Sequence, residues 1–102
     1  MKEVVQTIVY AEWFARIRDR RTRTRILARV RRLSRGNAGD HAPVGNGVME
    51  MRIHFGPGYR VYFVARGSEI VVLLAGGDKS SQKWDIKRAI GLAKELDGRS
   101  HL

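Results

Sequence analysis

The sequence predicts an α+β protein forming one small domain over residues 1–102. Three observations carry this class. Apolar residues alternate with polar ones over residues 49–66, residues 70–75 are wholly apolar, and apolar residues recur at helical spacing both before and after these strands. A chain of 102 residues buries about two-thirds of its unfolded surface, enough for one core without covalent staples. The absence of cysteine excludes disulfides, thiolate metal sites and a thiol nucleophile.

In chain order, residues 4–9 are β-branched and half apolar, which predicts a first strand. Tyr10, Trp13, Phe14 and Ile17 then recur at i, i+3, i+4 and i+7, marking Trp13 and Phe14 as core rather than a base-stacking platform. Ile26, Leu27, Val30 and Leu33 form a second apolar stripe, closed by Gly36-Asn37. Residues 36–47 hold four of the 11 glycines and one of the two prolines, and read as a loop. Met49, Met51, Ile53 and Phe55 alternate with Glu50, Arg52 and His54, a strand with one buried face. After Gly56-Pro57-Gly58, Tyr59, Val61, Phe63 and Ala65 alternate with Arg60, Tyr62, Val64 and Arg66. A three-residue loop at 56–58 pairs Ile53 with Val61 and Met51 with Phe63. A two-residue turn at Gly67-Ser68 pairs Ala65 with Ile70 and Phe63 with Val72. The apolar run 70–75 reads as an interior strand. From Ser80, capping serines and then Ile86, Ala89, Ile90, Ala93 and Leu96 predict a third helix, with Trp84 out of phase. The order is strand, helix, helix, three strands, helix.

The net charge of +10 draws such a domain to nucleic acid, an acidic protein or an anionic membrane surface. Ten of the 20 basic residues fall within residues 16–35, opposed there only by Asp19, which favours nucleic-acid contact over a merely solvated helix face. Residues 1–3 open no signal peptide and no apolar run suits a membrane helix, so a cytoplasmic location is expected.

The polar side of the strands carries Glu50, Arg52, His54, Arg60, Tyr62 and Arg66, read as an exposed face, and Lys79 is brought to its His54 and Arg60 end. Arginines hold phosphate bidentately, and a histidine moves protons near neutral pH. These groups suit RNA transesterification with no metal or cofactor. The same face also reads as a plain solvated one. Gly76-Gly77-Asp78-Lys79-Ser80 lacks the spacing of a nucleoside triphosphate loop. His41 and His101 fall in loop and tail, where no role is expected.

Residues 47–53, Gly56-Pro57-Gly58-Tyr59-Arg60-Val61-Tyr62-Phe63, residues 73–82 and Asp85-Ile86 together resemble the phage Gp49/HigB-like branch of the RelE/ParE toxins, the addiction-module killer proteins. The resemblance covers nearly the whole chain. It implies a RelE-like fold, two N-terminal helices packed on a small antiparallel sheet plus a C-terminal helix. It further implies a toxin neutralised by a helix-turn-helix antitoxin and cutting mRNA in the ribosomal A site. By position, Arg60 matches the family's arginine on the strand after the hairpin, Arg52 a basic position on the preceding strand, and Lys79 the basic residue of the next loop. His54 is the expected proton carrier. The residues expected to touch RNA are Arg20, Arg21, Arg23, Arg25, Arg29, Arg32, Tyr62 and Lys83. Glu50 stands where RelE has a basic residue, and no tyrosine in the C-terminal helix matches RelE's late one. The superfamily also holds ParE-type gyrase inhibitors, and a non-enzymatic basic binding module is a third reading.

Overall fold

The computed structural model describes the backbone of residues 1–100 and the side chains of residues 1–98, so His101 lies outside the described residues. The chain runs β1 (Glu3–Gln6), α1 (Ile8–Arg16), α2 (Arg20–Ser34), β2 (His41–Gly45), β3 (Val48–Ile53), β4 (Tyr59–Arg66), β5 (Ile70–Gly77), a 3-10 turn (Lys79–Ser81) and α3 (Gln82–Ser100).

The expected first strand is shorter than its β-branched stretch because Thr7 ends it. The Thr7 hydroxyl accepts from the Tyr10 amide at 3.1 Å and donates to the Leu74 carbonyl at 2.7 Å, capping α1 and tying it to β5. Asp19 caps α2 by accepting from the Thr22 amide and hydroxyl at 3.0 and 2.7 Å. Between the helices, the Arg23 guanidinium donates to the carbonyls of Phe14 and Ile17, serving the open C-terminal end of α1.

The sheet has five strands in the order β1-β5-β4-β3-β2, and it is mixed rather than purely antiparallel: β1 lies parallel to β5. The expected loop at 36–47 contains an edge strand. Asn46 and Gly47 both take positive φ, 55° and 80°, so they form the tight turn that pairs β2 with β3. The β3–β4 register differs from expectation by two residues, with Ile53 opposite Tyr59 and Met51 opposite Val61. The connection takes five residues because Phe55 tucks towards the core and its carbonyl accepts from the Gly58 amide. A shift of two keeps every side chain on its expected face. The β4–β5 register differs by one, with Phe63 opposite Leu73, since an all-apolar strand gives no parity by which to choose. A bulge between Tyr62 and Phe63 then widens the difference to two and sets Arg60 opposite Gly77, where the expected register put Ala75.

Both faces of the sheet are covered. Met51, Ile53, Val61, Phe63, Val71 and Leu73 pack under α1 and α2 with Tyr10, Ile26 and Leu33, and Trp13 and Phe14 close this core as expected. Val48, Tyr62, Val64, Val72, Leu74 and Ala75 pack under α3 with Ala89 and Ala93. The face read from sequence as exposed is therefore roofed by α3, which buries Glu50 and Tyr62. Gly76 and Gly77 allow this close packing: a Cβ on Gly76 would collide with the Trp13 ring, and one on Gly77 with the Asp85 carboxylate.

Candidate functional site

The β3–β4 register makes Arg52 and Arg60 cross-strand partners, with Glu50 opposite Tyr62 two pairs further in, on the same face. Glu50 is only 1% exposed, and its carboxylate gathers four donors. Arg60 Nη1 donates at 2.9 Å, Arg52 Nε at 3.2 Å, the Tyr62 hydroxyl at 3.0 Å and the Gln82 amide at 2.9 Å. A buried carboxylate with this many partners is a fixed anchor, and it holds both guanidinia and the first turn of α3 in one geometry. The Arg60 side chain is 13% exposed, and its Nε is buried with no partner, leaving donor capacity beyond what Glu50 takes.

Outside this anchor lies a second carboxylate, Asp40, just before β2. Its Oδ2 is 2.5 Å from His54 Nε2 and its Oδ1 is 3.7 Å from Arg52 Nη1. The Asp40 carbonyl accepts from the Arg52 amide at 2.9 Å and from Arg29 Nη2 at 3.2 Å. Arg29 also donates to the carbonyls of Arg52 and Ala38, so α2 clamps the segment that presents Asp40. His54 is well exposed, with Nδ1 left outside the Asp40 contact. It lines a shallow groove of about 390 Å³ with residues 55–58 and Lys79. A neighbouring groove, lined by Arg25, Ala28, Arg29, Arg32, Ile53, His54 and Phe55, continues from it onto α2.

The electrostatics follow the contacts. Burial pushes the Glu50 carboxyl up, but the hydrogen bonds from Gln82, Tyr62 and Arg52 and the charge of Arg60 outweigh it and hold the group below its ordinary value. The hydrogen bond from His54 holds Asp40 low, with help from Arg52. Burial and the Glu50 carboxylate push the Tyr62 phenol far up, so it remains a neutral donor. Asp85, packed against Gly77 and accepting from Ser81, is raised chiefly by burial. Among the described residues, no group of three or more His, Cys, Asp or Glu side chains is placed to hold a metal ion, and no helix is long and apolar enough to cross a membrane.

Residues 12–96 match the family described as phage-derived protein Gp49-like. The chain is a member of the Gp49-like family. That family is toxin-like and of the addiction-module type. An uncharacterized protein of Haemophilus influenzae is 43% identical over 94 residues, spanning 92% of this chain and 95% of that protein. No solved structure matches the chain.

Of the residues singled out from this Gp49-like sequence, Arg52, His54, Arg60 and Lys79 fall at one end of the sheet. Arg60 and His54 are not neighbours across the strands as expected, because the two-residue register difference gives Arg60 to Arg52 instead. Arg66 lies at the far end of β4, paired with Asp97 of α3. Tyr62, expected to meet RNA, is fully buried and donates to Glu50. Arg23 and Arg29 are committed to backbone carbonyls, whereas Arg20, Arg21, Arg25 and Arg32 are exposed on α2. Lys83 is exposed on α3, the helix covering the opposite face. His41 lies in β2, its Nδ1 2.8 Å from the Gly39 carbonyl. Asp40 and Gln82 join this candidate site through His54, Arg52 and Glu50, and neither was singled out from the sequence. The Asn46-Gly47 pair was the available signal for Asp40, since a hairpin there carries the residue before β2 alongside Arg52.

Proposed function

We propose that this protein is the toxin of a toxin–antitoxin pair and a metal-independent endoribonuclease that cuts mRNA in the ribosomal A site. One observation carries the reading: Arg52 and Arg60 stand side by side next to a groove lined by both His54 and Lys79. Membership of a toxin-like family supports the biological half of it.

The chemistry is an in-line transesterification. Asp40 orients His54 through Nε2, and the free Nδ1 takes the proton of the ribose 2'-hydroxyl. The 2'-oxygen attacks phosphorus, and the bond to the 5'-oxygen breaks. Arg52 and Arg60, fixed by Glu50, offset the charge that builds on the phosphoryl oxygens. Lys79, exposed on the 3-10 turn, serves the leaving 5'-oxygen. The exposed arginines of α2 bind the flanking phosphates or ribosomal RNA. A helix-turn-helix antitoxin neutralises the toxin, and the protein works in the cytoplasm.

Primer extension on a defined mRNA with purified ribosomes tests this reading. Cuts are expected with ribosomes and wild-type protein, and not in a ribosome-free lane or with Arg60→Ala or Lys79→Ala. Lys79 is exposed and makes no contact with Glu50, so Lys79→Ala separates chemistry from folding. An absence of cuts with folded wild-type protein, accompanied by gyrase inhibition, would replace the reading with the ParE-type one.

A further inference from the structure

Trp84 stands 75% exposed on α3, whereas Trp13 is built into the core. A tryptophan usually buries most of its surface, so a ring left in water needs a reason. Its surroundings supply one. The first two turns of the exposed side of α3 present Lys83, Trp84, Lys87 and Arg88; Gly91 then leaves open space, and Lys94 and Glu95 follow beyond it. The Lys87 ammonium lies 5.6 Å from the centre of the ring. Asp85, the acidic residue of that turn, faces inward to Ser81.

A flat π-surface among cations at helical spacing fits a ligand that is itself flat and carries phosphate. An apolar protein groove would call for apolar neighbours at i+3 and i+4, and those positions are Lys87 and Arg88. The patch lies on the helix whose first residue, Gln82, donates to Glu50 of the candidate site. We infer that Trp84, flanked by Lys83, Lys87 and Arg88, is a stacking site for an unpaired base of single-stranded RNA. The inference rests on the reading of the protein as acting on RNA. It adds a second RNA contact on the side of the sheet opposite the α2 arginines.

The test uses a twelve-residue oligoadenylate, its duplex with oligouridylate, and polyglutamate as an acidic protein mimic. Single-stranded oligoadenylate should quench tryptophan emission in the wild type and not in Trp84→Phe, and the duplex should quench neither. By anisotropy of labelled RNA, Trp84→Ala should bind about tenfold more weakly, with Trp84→Phe in between. The salt slope should stay unchanged in Trp84→Ala. It should fall by about 1.4 when Lys83 and Lys87 are both replaced by serine. Wild-type affinity in Trp84→Ala, or equal quenching by polyglutamate, would overturn the stacking site. Quenching without ribosomal cleavage would leave this site standing and remove the nuclease reading; cleavage without quenching would do the reverse.

Discussion

Glu50 sits where the exposed-face reading of the strand expected solvent, and its burial changes what the neighbouring arginines are. Arg52 and Arg60 are not free cations awaiting phosphate; they are held by a carboxylate that four donors share. Glu50→Gln should therefore cost about 1–3 kcal/mol at pH 7, because the largely covered Arg60 guanidinium and the more exposed Arg52 lose the counter-charge they share. The folded carboxyl titrates below its unfolded value of about 4.3, so its contribution is complete above that pH and is lost as pH falls through the folded value. Urea unfolding should show the wild-type and Glu50→Gln curves converging below about pH 4. A gap unchanged from pH 7 to pH 3 would contradict the role given to Glu50. Under the proposed mechanism Asp40 acts differently, through His54. Asp40→Asn should keep the fold and slow ribosome-dependent cleavage about tenfold or more, and His54→Gln about a hundredfold or more. Single-turnover rates equal to wild type in Asp40→Asn would leave that residue no part in proton transfer.

At the scale of elements, α2 divides its arginines between two jobs. Arg23 and Arg29 face inward and close carbonyls at the α1–α2 turn and in the segment leading to β2, while Arg20, Arg21, Arg25 and Arg32 face water. Arg29→Ala should destabilise the protein by about 2–3 kcal/mol, since it opens three carbonyl contacts. Arg21→Ala should change stability by no more than about 0.5 kcal/mol. Thermal melts of the two variants should separate these jobs, and equal melting would erase the distinction. Helical phase sets Arg29 between Ile26 and Leu33 on the covered side of α2, but the basic run does not show the carbonyls that Arg23 and Arg29 serve, since these lie in other elements. The helices and the β3–β4 alternation were legible since each rests on a local period. The β4–β5 register was not, because residues 70–75 are apolar on both faces. The roof over the sheet escaped for a related reason. Glu50, Arg52, Arg60 and Tyr62 look like a solvated face, and only the donors of one buried carboxylate make them fit beneath a helix. His54 and Lys79 were brought to the same end by reasoning on hairpins alone, whereas Asp40 depended on an edge strand hidden in a glycine-rich segment.

For the whole molecule, most of the net charge of +10 lies in residues 16–35, while α3 on the opposite side of the sheet carries a smaller basic excess. Binding to ribosomes should weaken steeply with salt, because each phosphate contact releases condensed counterions. Co-sedimentation between 50 and about 200 mM salt should show a loss of at least a hundredfold in affinity. A flat profile would mean that the basic surfaces do not meet RNA. One topological feature bears on when this protein can act at all. Strand β1 is made first, but its partner is β5, and the Thr7 hydroxyl reaches a carbonyl 67 residues further along. Gln82, which closes the Glu50 anchor, is made later still. During synthesis the early strand and helices wait for their partners, and the arginine pair stays unassembled until the start of α3 has left the ribosome. Under the proposed function, the chain is thereby kept from acting on the ribosome making it until the start of α3 has emerged.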